Sequence, residues 1–131
     1  MSVQTTDLQS QPFFDALTET ELQYLCESGV TQTYRKGKFL IREGSLNHYL
    51  FYIVKGSVHI KSYGVKVATL SPGELMGEIS ASGLDSPIAD VTATSSVTVY
   101  KFPVEAVRQI AAENKTFAKS LRDKAMSRVL Q

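Results

Sequence analysis

The chain has 131 residues, 43% of them hydrophobic, and a formal net charge of +1. This length and content suit one domain with one core, and the near-neutral charge offers no overall attraction for nucleic acid. A single cysteine, Cys26, excludes an internal disulfide and fits a reducing compartment. No apolar run approaches the ~18 residues of a membrane span, and the polar start has no signal-peptide core. We therefore expect a cytoplasmic protein.

The first part of the chain predicts a loose start and one helix. Residues 1–11 are polar and are expected to be flexible. Thr18, followed three residues later by Glu21, fits a capping box at a helix start, and Gly29 is expected to end that helix. Cys26 lies on the apolar stripe of the helix, so we interpret it as a small buried hydrophobe rather than a reactive thiol.

From Val30 the apolar residues recur with a period of two. Such runs, each followed by a glycine or a polar turn, cover residues 30–34, 39–41, 49–54, 57–61, 65–70 and 97–102. The run 49–54 is apolar on both faces and is predicted to be a central buried strand. Seven or eight short strands with turn signals between them predict a mainly β, antiparallel double sheet of jelly-roll type.

The C-terminal part returns to helical spacing. Pro103 suits the first turn of a helix, and Asn114-Lys115 interrupts the pattern before a last helix. The apolar stripe of that helix consists of Phe117, Leu121, Ala125 and Val129. We expect it to pair with a second copy, because little sheet remains to cover it. The opposite face is basic, and we interpret it as solvated: Lys119, Arg122, Lys124 and Arg128.

The stretch Ser71–Ala93 differs from the rest because its backbone is suited to ligand binding as well as to packing. Its two glycine-centred turns, Pro72-Gly73 and Gly77, are each followed by a glutamate. Glycine permits unusual φ angles before a helix start, and the first turn of a helix attracts anions. The stretch therefore predicts strand, tight turn, one-turn helix, loop and strand, with a plain crossover between two strands as the alternative.

Taken in order, these segments resemble the cyclic-nucleotide-binding domain family. The resemblance runs from Pro12 to about residue 130 and rests on these residues: Glu21-Leu22, Tyr34, Gly37, Glu43-Gly44, Leu50-Phe51, Ile53, Gly56, Val58, Ile60, Gly64, Val67-Ala68, Leu70, Pro72-Gly73-Glu74 and Gly77-Glu78-Ile79-Ser80. It implies an eight-stranded antiparallel β-roll with an N-terminal helix and two C-terminal helices. The implied boundaries are a flexible segment 1–11, the binding domain 12–114, and a C-terminal helix 115–131.

The resemblance also implies a phosphate-binding cassette, which we define as residues 77–89. Its candidate ligand-binding residues are Gly77, Glu78, Ile79, Ser80, Pro87, Ile88 and Ala89. In the family, the glutamate after the glycine holds the ribose 2′-hydroxyl, which is here the position of Glu78. Two alternatives remain open. Glu78 could instead be a carboxylate that stabilises the start of a helix. Ser80 could donate to a ligand or cap the helix locally, and the local role is favoured.

The cassette departs from the family where an arginine should neutralise the phosphate. Pro87 or Ile88 occupies that position, depending on the register, and no lysine or arginine lies between Lys66 and Lys101. Asp90 adds a negative charge nearby. We therefore expect weak or altered binding of cAMP or cGMP and no other cofactor.

Metal and catalytic sites find no support in the sequence. His48 and His59, which invite a haem or metal interpretation, stand at no ligand spacing. No nucleophile and base occur at a recognisable spacing, so we expect no enzyme activity.

Three functions fit the sequence. The first is a regulatory sensor that binds a small anionic ligand and moves its C-terminal helices. The second is a ligand-free scaffold for dimerisation through the C-terminal helix or for docking a protein partner. The third is the sensor part of a transcriptional regulator without its DNA-binding domain, since no helix-turn-helix follows before Gln131. We expect no membrane contact and no nucleic-acid binding by this chain alone.

Overall fold

The computed structural model describes residues 3–44, 48–77 and 89–129, with the side chains of Val67 and of residues 124–129 left out. The helices are α1 Thr5–Gln9, α2 Glu19–Ser28, α3 Val104–Glu113 and α4 Lys115–Val129, with a 3-10 turn at Pro12–Phe14. The strands are β1 Val30–Tyr34, β2 Phe39–Ile41, β3 Tyr49–Lys55, β4 Val58–Ser62, β5 Val65–Leu70, β6 Leu75–Met76, β7 Asp90–Ala93 and β8 Val97–Pro103.

The described strands form two four-stranded antiparallel sheets. The first sheet has the order β1-β8-β3-β6 and the second has the order β2-β7-β4-β5. The predicted mainly β roll with an N-terminal helix and two C-terminal helices is confirmed. The two-residue strand β6 stands before Gly77, within the stretch Ser71–Ala93 for which a strand followed by a tight turn was predicted.

Two hydrophobic clusters take the place of the single core that was expected. An inner core fills the space between the sheets and contains Phe51, Ile53, Val58, Val97 and Val99 among its members. An outer core joins the opposite face of the first sheet to the four helices. The central strand β3 serves both, since alternate side chains of a strand point to opposite faces. This explains why residues 49–54 are apolar on both faces.

The N-terminal segment differs from the expected flexible tail. Residues 5–9 form α1, and the side chains of Val3 and Leu8 are 4% and 0% exposed in the outer core. Asp7 interacts with the Tyr100 hydroxyl; burial, followed by this carboxylate, raises the tyrosine's pKa. The prediction of a flexible tail followed from the mostly polar composition, and it did not account for burial of the two apolar residues Val3 and Leu8.

The predicted capping box of α2 is confirmed. The Thr18 N–H donates to Glu21 Oε1 at 2.9 Å, and the Glu21 N–H donates to Thr18 Oγ1 at 3.2 Å. Gly29 does end the helix, but in an extended conformation. The glycine is needed for packing, because a Cβ there would lie 2.7 Å from the Phe102 ring.

Asn114 joins the break between the last two helices to the start of α2. Its Nδ2 donates to the Ala16 carbonyl at 2.8 Å and to Glu21 Oε1 at 2.9 Å. Its Oδ1 accepts from the Phe117 N–H at 3.0 Å, which caps the first turn of α4. We call this set of bonds the Asn114 clamp.

The apolar stripe of α4 does not face outward as expected. Phe117 and Leu121 are 0% and 1% exposed and belong to the chain's own outer core. These two residues are therefore not available for pairing with a second copy, and this part of the predicted dimer interface is wrong. The Ala125 and Val129 side chains lie outside the described part. On the basic face, Lys119 and Arg122 are exposed, as interpreted from the sequence.

The hairpin between β4 and β5 turns through Tyr63 and Gly64, which both have positive φ angles of 52° and 79°. A two-residue turn of this kind favours Asn-Gly, and a tyrosine in the left-handed region is strained. Tyr63 is also 91% exposed and so gains little from packing. Tyr63→Asn should therefore raise the free energy of unfolding by about 0.5–1 kcal/mol, measured by urea denaturation. Tyr63→Ala retains the strain and should give no comparable gain; an equal gain would show that exposure, not backbone strain, is responsible.

Candidate functional site

The turn Pro72-Gly73 in the stretch Ser71–Ala93 is held against the central strand β3. The Gly73 N–H donates to the Ile53 carbonyl at 2.8 Å, and the Ile53 N–H donates to the Glu74 carbonyl at 2.9 Å. The Glu74 side chain stays within the turn, where Oε1 accepts from the Ser71 N–H at 3.0 Å. Gly73 has a φ of 92°, as a glycine-specific turn requires. This turn sets the position of β6.

The second glycine stands where β6 ends and the cassette begins. Met76 pairs with Phe51 of β3 and is 1% exposed, and Gly77 follows with a φ of 84°. The unusual φ expected at this glycine is present. Five candidate ligand-binding residues lie outside the described residues: Glu78, Ile79, Ser80, Pro87 and Ile88.

The cassette ends at the second sheet. Ala89 is half-buried and packs against the inner core, and β7 follows with Val91 and Ala93 pointing into the same core. Of the seven candidate residues, Gly77 and Ala89 are thus the two that the structure describes. One lies at the edge of the first sheet and the other at the start of a strand in the second, so the cassette connects the two sheets.

Asp90, directly after the cassette, lies on the outer side of the roll. It alternates with the buried Val91, and its Oδ1 accepts from the Glu43 N–H at 2.8 Å. The carboxylate is therefore occupied in holding the turn after β2. The period-two alternation directs the Asp90 side chain away from the interior, and the expectation that its charge weakens phosphate binding stays a prediction.

An aromatic group with one cation lies on the inner face of the first sheet. Lys101 Nζ lies 4.2 Å from the ring centroid of Tyr49, 5.6 Å from that of Phe51 and 5.7 Å from that of Tyr34. It also donates to Gln32 Oε1 at 2.9 Å. We call these five residues the Lys101 cluster. Among the described residues, no carboxylate lies within ion-pair distance of this lysine.

Lys101 was not among the predicted site residues, although its position carries a signal in the sequence. Val97 and Val99 precede it at the period-two spacing that marks the inner face, and both are 0% exposed. The next position on that face is Lys101. A charge that breaks an apolar alternation marks a position where packing alone does not decide the residue.

The other candidate groups remain apart. His59 lies on the outer side of β4 opposite Thr92, and His48 is exposed before β3. Within residues 3–44, 48–77 and 89–129, no three His, Cys, Asp or Glu side chains are grouped as a metal site. Cys26 is buried, as interpreted, and burial, followed by Asp7 and Glu27, raises the pKa of its thiol. No helix in the described part is both long and apolar enough to cross a membrane.

Solved structures that resemble nearly the whole chain include a bacterial sensor domain and a regulatory domain of a protein kinase. The sensor domain of the transcriptional regulator DNR from Pseudomonas aeruginosa is 23% identical, with 98% of this chain and 94% of that chain covered and a TM-score of 0.83. The regulatory domain of Toxoplasma gondii PKA, crystallised with cAMP, is 19% identical, with 94% and 48% covered and a TM-score of 0.82. At these identities the likeness shows the shared fold.

Sequence comparison gives a closer relation. Glutaminase 1 of Bradyrhizobium diazoefficiens is 31% identical over 103 residues, which are 78% of this chain and 17% of the glutaminase. The chain thus spans less than a fifth of this curated relative. The family model "Cyclic nucleotide-binding domain" matches residues 31–114, well over half of the chain. The chain belongs to the cyclic nucleotide-binding domain family.

Proposed function

We propose that this chain is a non-catalytic sensor domain that binds a small anionic ligand, a cyclic nucleotide or a relative of one, in its cassette. The observation that carries the proposal is the placement of the two described ends of the cassette. Gly77, with its φ of 84°, follows a strand of the first sheet, and Ala89 packs on the inner core from the second. A ligand bound between them would contact both sheets at once.

Binding should be weak, because the cassette sequence contains no arginine or lysine. Losing one partner of a buried charge pair costs about 2–5 kcal/mol, which is roughly 30-fold to several thousand-fold in affinity. We therefore propose a dissociation constant above about 10 μM for cAMP and cGMP. Backbone N–H groups near a glycine turn still favour an anion.

A bound ligand has a short route to the helices. Strand β8 pairs with β3, which pairs with β6 before the cassette, and β8 continues directly into α3. The Asn114 clamp then connects the end of α3 to α2. We propose that ligand binding biases this helical group, which signals to a partner or to an attached domain. The low coverage of the glutaminase is in keeping with a module that also occurs inside larger proteins.

The missing arginine equally favours a second function, a ligand-free scaffold that docks another protein. A nuclear magnetic resonance titration of the labelled chain with cAMP and cGMP, to about 5 mM, separates the two functions. The sensor requires saturable shifts at Gly77, Phe51 and Ala89, with His59 on the outer side of β4 as the unaffected control. Saturation below about 10 μM would contradict the weak-binding argument, and the absence of shifts with both nucleotides would support the scaffold.

A further inference from the structure

We propose that the free edge of β1 is a contact between two copies of this chain, in which the two β1 strands pair antiparallel about a twofold axis at Gln32. The contact lies outside the cassette and does not depend on a bound ligand. It also differs from the dimer expected from the sequence, which used the last helix. Three features carry the inference: the state of the edge, the side chains that the pairing brings together, and the charges at the two ends of the strand.

The edge of β1 lacks the features that keep the other edges of the described sheets from pairing. Edge strands are blunted by shortness, bulges or lysines, because their unpaired N–H and C=O groups otherwise attract a further strand. The described edge strands are β1, β6, β2 and β5. β6 and β2 have two and three residues, the pairings of β2 and β5 each contain a register shift, and β5 carries Lys66. In contrast, β1 has five residues, none of them charged, proline or glycine, and it pairs with β8 in an unbroken register.

The outer side of β1 has backbone groups left for a partner strand. In the described part of the chain, residues 30–34 pair with β8 on one side, and no backbone hydrogen bond reaches them from the other. About half of the N–H and C=O groups of an antiparallel strand point to each side. The side chains are open as well, since Val30 is 46% exposed and Gln32 and Thr33 are also exposed. A strand added here would satisfy the backbone groups and cover Val30.

Antiparallel pairing centred on Gln32 places favourable side chains opposite each other. Val30 would lie opposite Tyr34 of the second copy, and Thr31 would lie opposite Thr33. Aromatic side chains beside β-branched ones, and threonines beside threonines, are cross-strand pairs that stabilise a sheet. Gln32 would lie opposite its own copy. The four-stranded first sheets of the two copies would then form one continuous sheet.

The charges that flank β1 favour a second copy as the occupant. Glu27 is exposed near the end of α2, just before the strand, and Arg35 and Lys36 are exposed just after it. Antiparallel pairing brings the acidic start of one strand to the basic end of the other, and the twofold axis repeats this at both ends. Parallel pairing would instead place like charges side by side. The strand is therefore complementary to itself in the antiparallel direction.

The first test locates the axis with cysteines. Gln32→Cys and Thr33→Cys are each made together with Cys26→Ala and equilibrated in a glutathione redox buffer, and thermal unfolding checks that each variant folds. Opposite residues of antiparallel strands have Cα atoms about 4.5–5.5 Å apart, which a disulfide can bridge. The two Thr33 positions would lie more than about 8 Å apart, beyond its reach. Gln32→Cys should therefore form at least about tenfold more cross-linked dimer than Thr33→Cys.

The second test needs no cysteine. Sedimentation equilibrium of the wild-type chain, from about 10 μM to about 1 mM, should show a dimer. Thr33→Lys should weaken it by about tenfold or more, because a lysine on the edge opposes strand pairing. Thr69→Lys is the matched control and should leave the dimer unchanged, since Thr69 is an exposed threonine on the edge strand β5.

Three results would overturn the inference: a wild-type chain that stays monomeric at every concentration, a dimer that Thr33→Lys leaves intact, or equal cross-linking by the two cysteine variants. The first of these would assign the edge to a strand of another protein instead of a second copy. The sensor function would stand in each case, because the contact does not involve the cassette.

Discussion

Replacing Phe117 with alanine is expected to lower the free energy of unfolding by about 3–5 kcal/mol, the range for large aromatic side chains in cores. The side chain is 0% exposed, and its ring meets the Phe13 ring edge-on with centroids 5.4 Å apart. The last helix is therefore fastened to the N-terminal 3-10 turn through this ring. Urea denaturation followed by circular dichroism measures the effect.

The control is Lys119→Ala on the exposed face of the same helix, which should change the stability by at most about 0.5 kcal/mol. A dimer interface would behave differently. If Phe117→Ala leaves the unfolding free energy nearly unchanged but converts a dimer into a monomer in light scattering, then the ring packs against a partner and the intramolecular packing described above is wrong.

Asn114→Ala is expected to cost about 2.5–4 kcal/mol of unfolding free energy at neutral pH. The change removes a helix cap, worth about 1 kcal/mol, and a hydrogen bond to a charged carboxylate, worth about 1.5–3 kcal/mol. It also leaves the Ala16 carbonyl without the bond that Nδ2 donates at 2.8 Å. Because Asn114 joins the two C-terminal helices to α2, the loss should affect the whole helical group.

The cost of Asn114→Ala should depend on pH through Glu21. Partial burial alone raises the pKa of this carboxyl, but hydrogen bonds from Thr18 and Asn114 outweigh burial and hold it below the ordinary value of 4.5. A carboxyl with a lowered folded-state pKa stabilises the protein above its unfolded-state pKa, and this contribution is lost as the pH falls through the folded-state value. The cost of Asn114→Ala should therefore be larger at pH 7 than at about pH 3.

Glu21→Gln is the matched control, because it keeps an acceptor oxygen for Thr18 and removes the titrating group. In this background the effect of Asn114→Ala should be smaller at pH 7 and nearly independent of pH. Equal costs at both pH values with Glu21 in place would show that the hydrogen bond from Asn114 does not depend on the charge of the carboxylate.

Local patterns in the sequence were sufficient to predict most of the helices, strands and turns. The capping box of Thr18 and Glu21, the period-two strands and the glycine turns all depend on residues within a few positions of each other, where backbone geometry fixes which groups meet. The ordered set of these signals predicted the family. The outward direction of Asp90 follows from the same alternation.

Only the tertiary structure decided which distant residues the C-terminal helices and Lys101 contact. An apolar stripe on a helix shows that something must cover it but not what covers it. The sequence analysis therefore expected a second copy to cover Phe117 and Leu121, whereas the chain's own core covers them. Asn114 is locally typical of a helix break, yet the hydrogen bonds of its side-chain amide reach residues 93 and 98 positions away in the sequence. The Lys101 cluster likewise brings together side chains from three strands, since the pairing of distant strands follows from the packing of the whole roll.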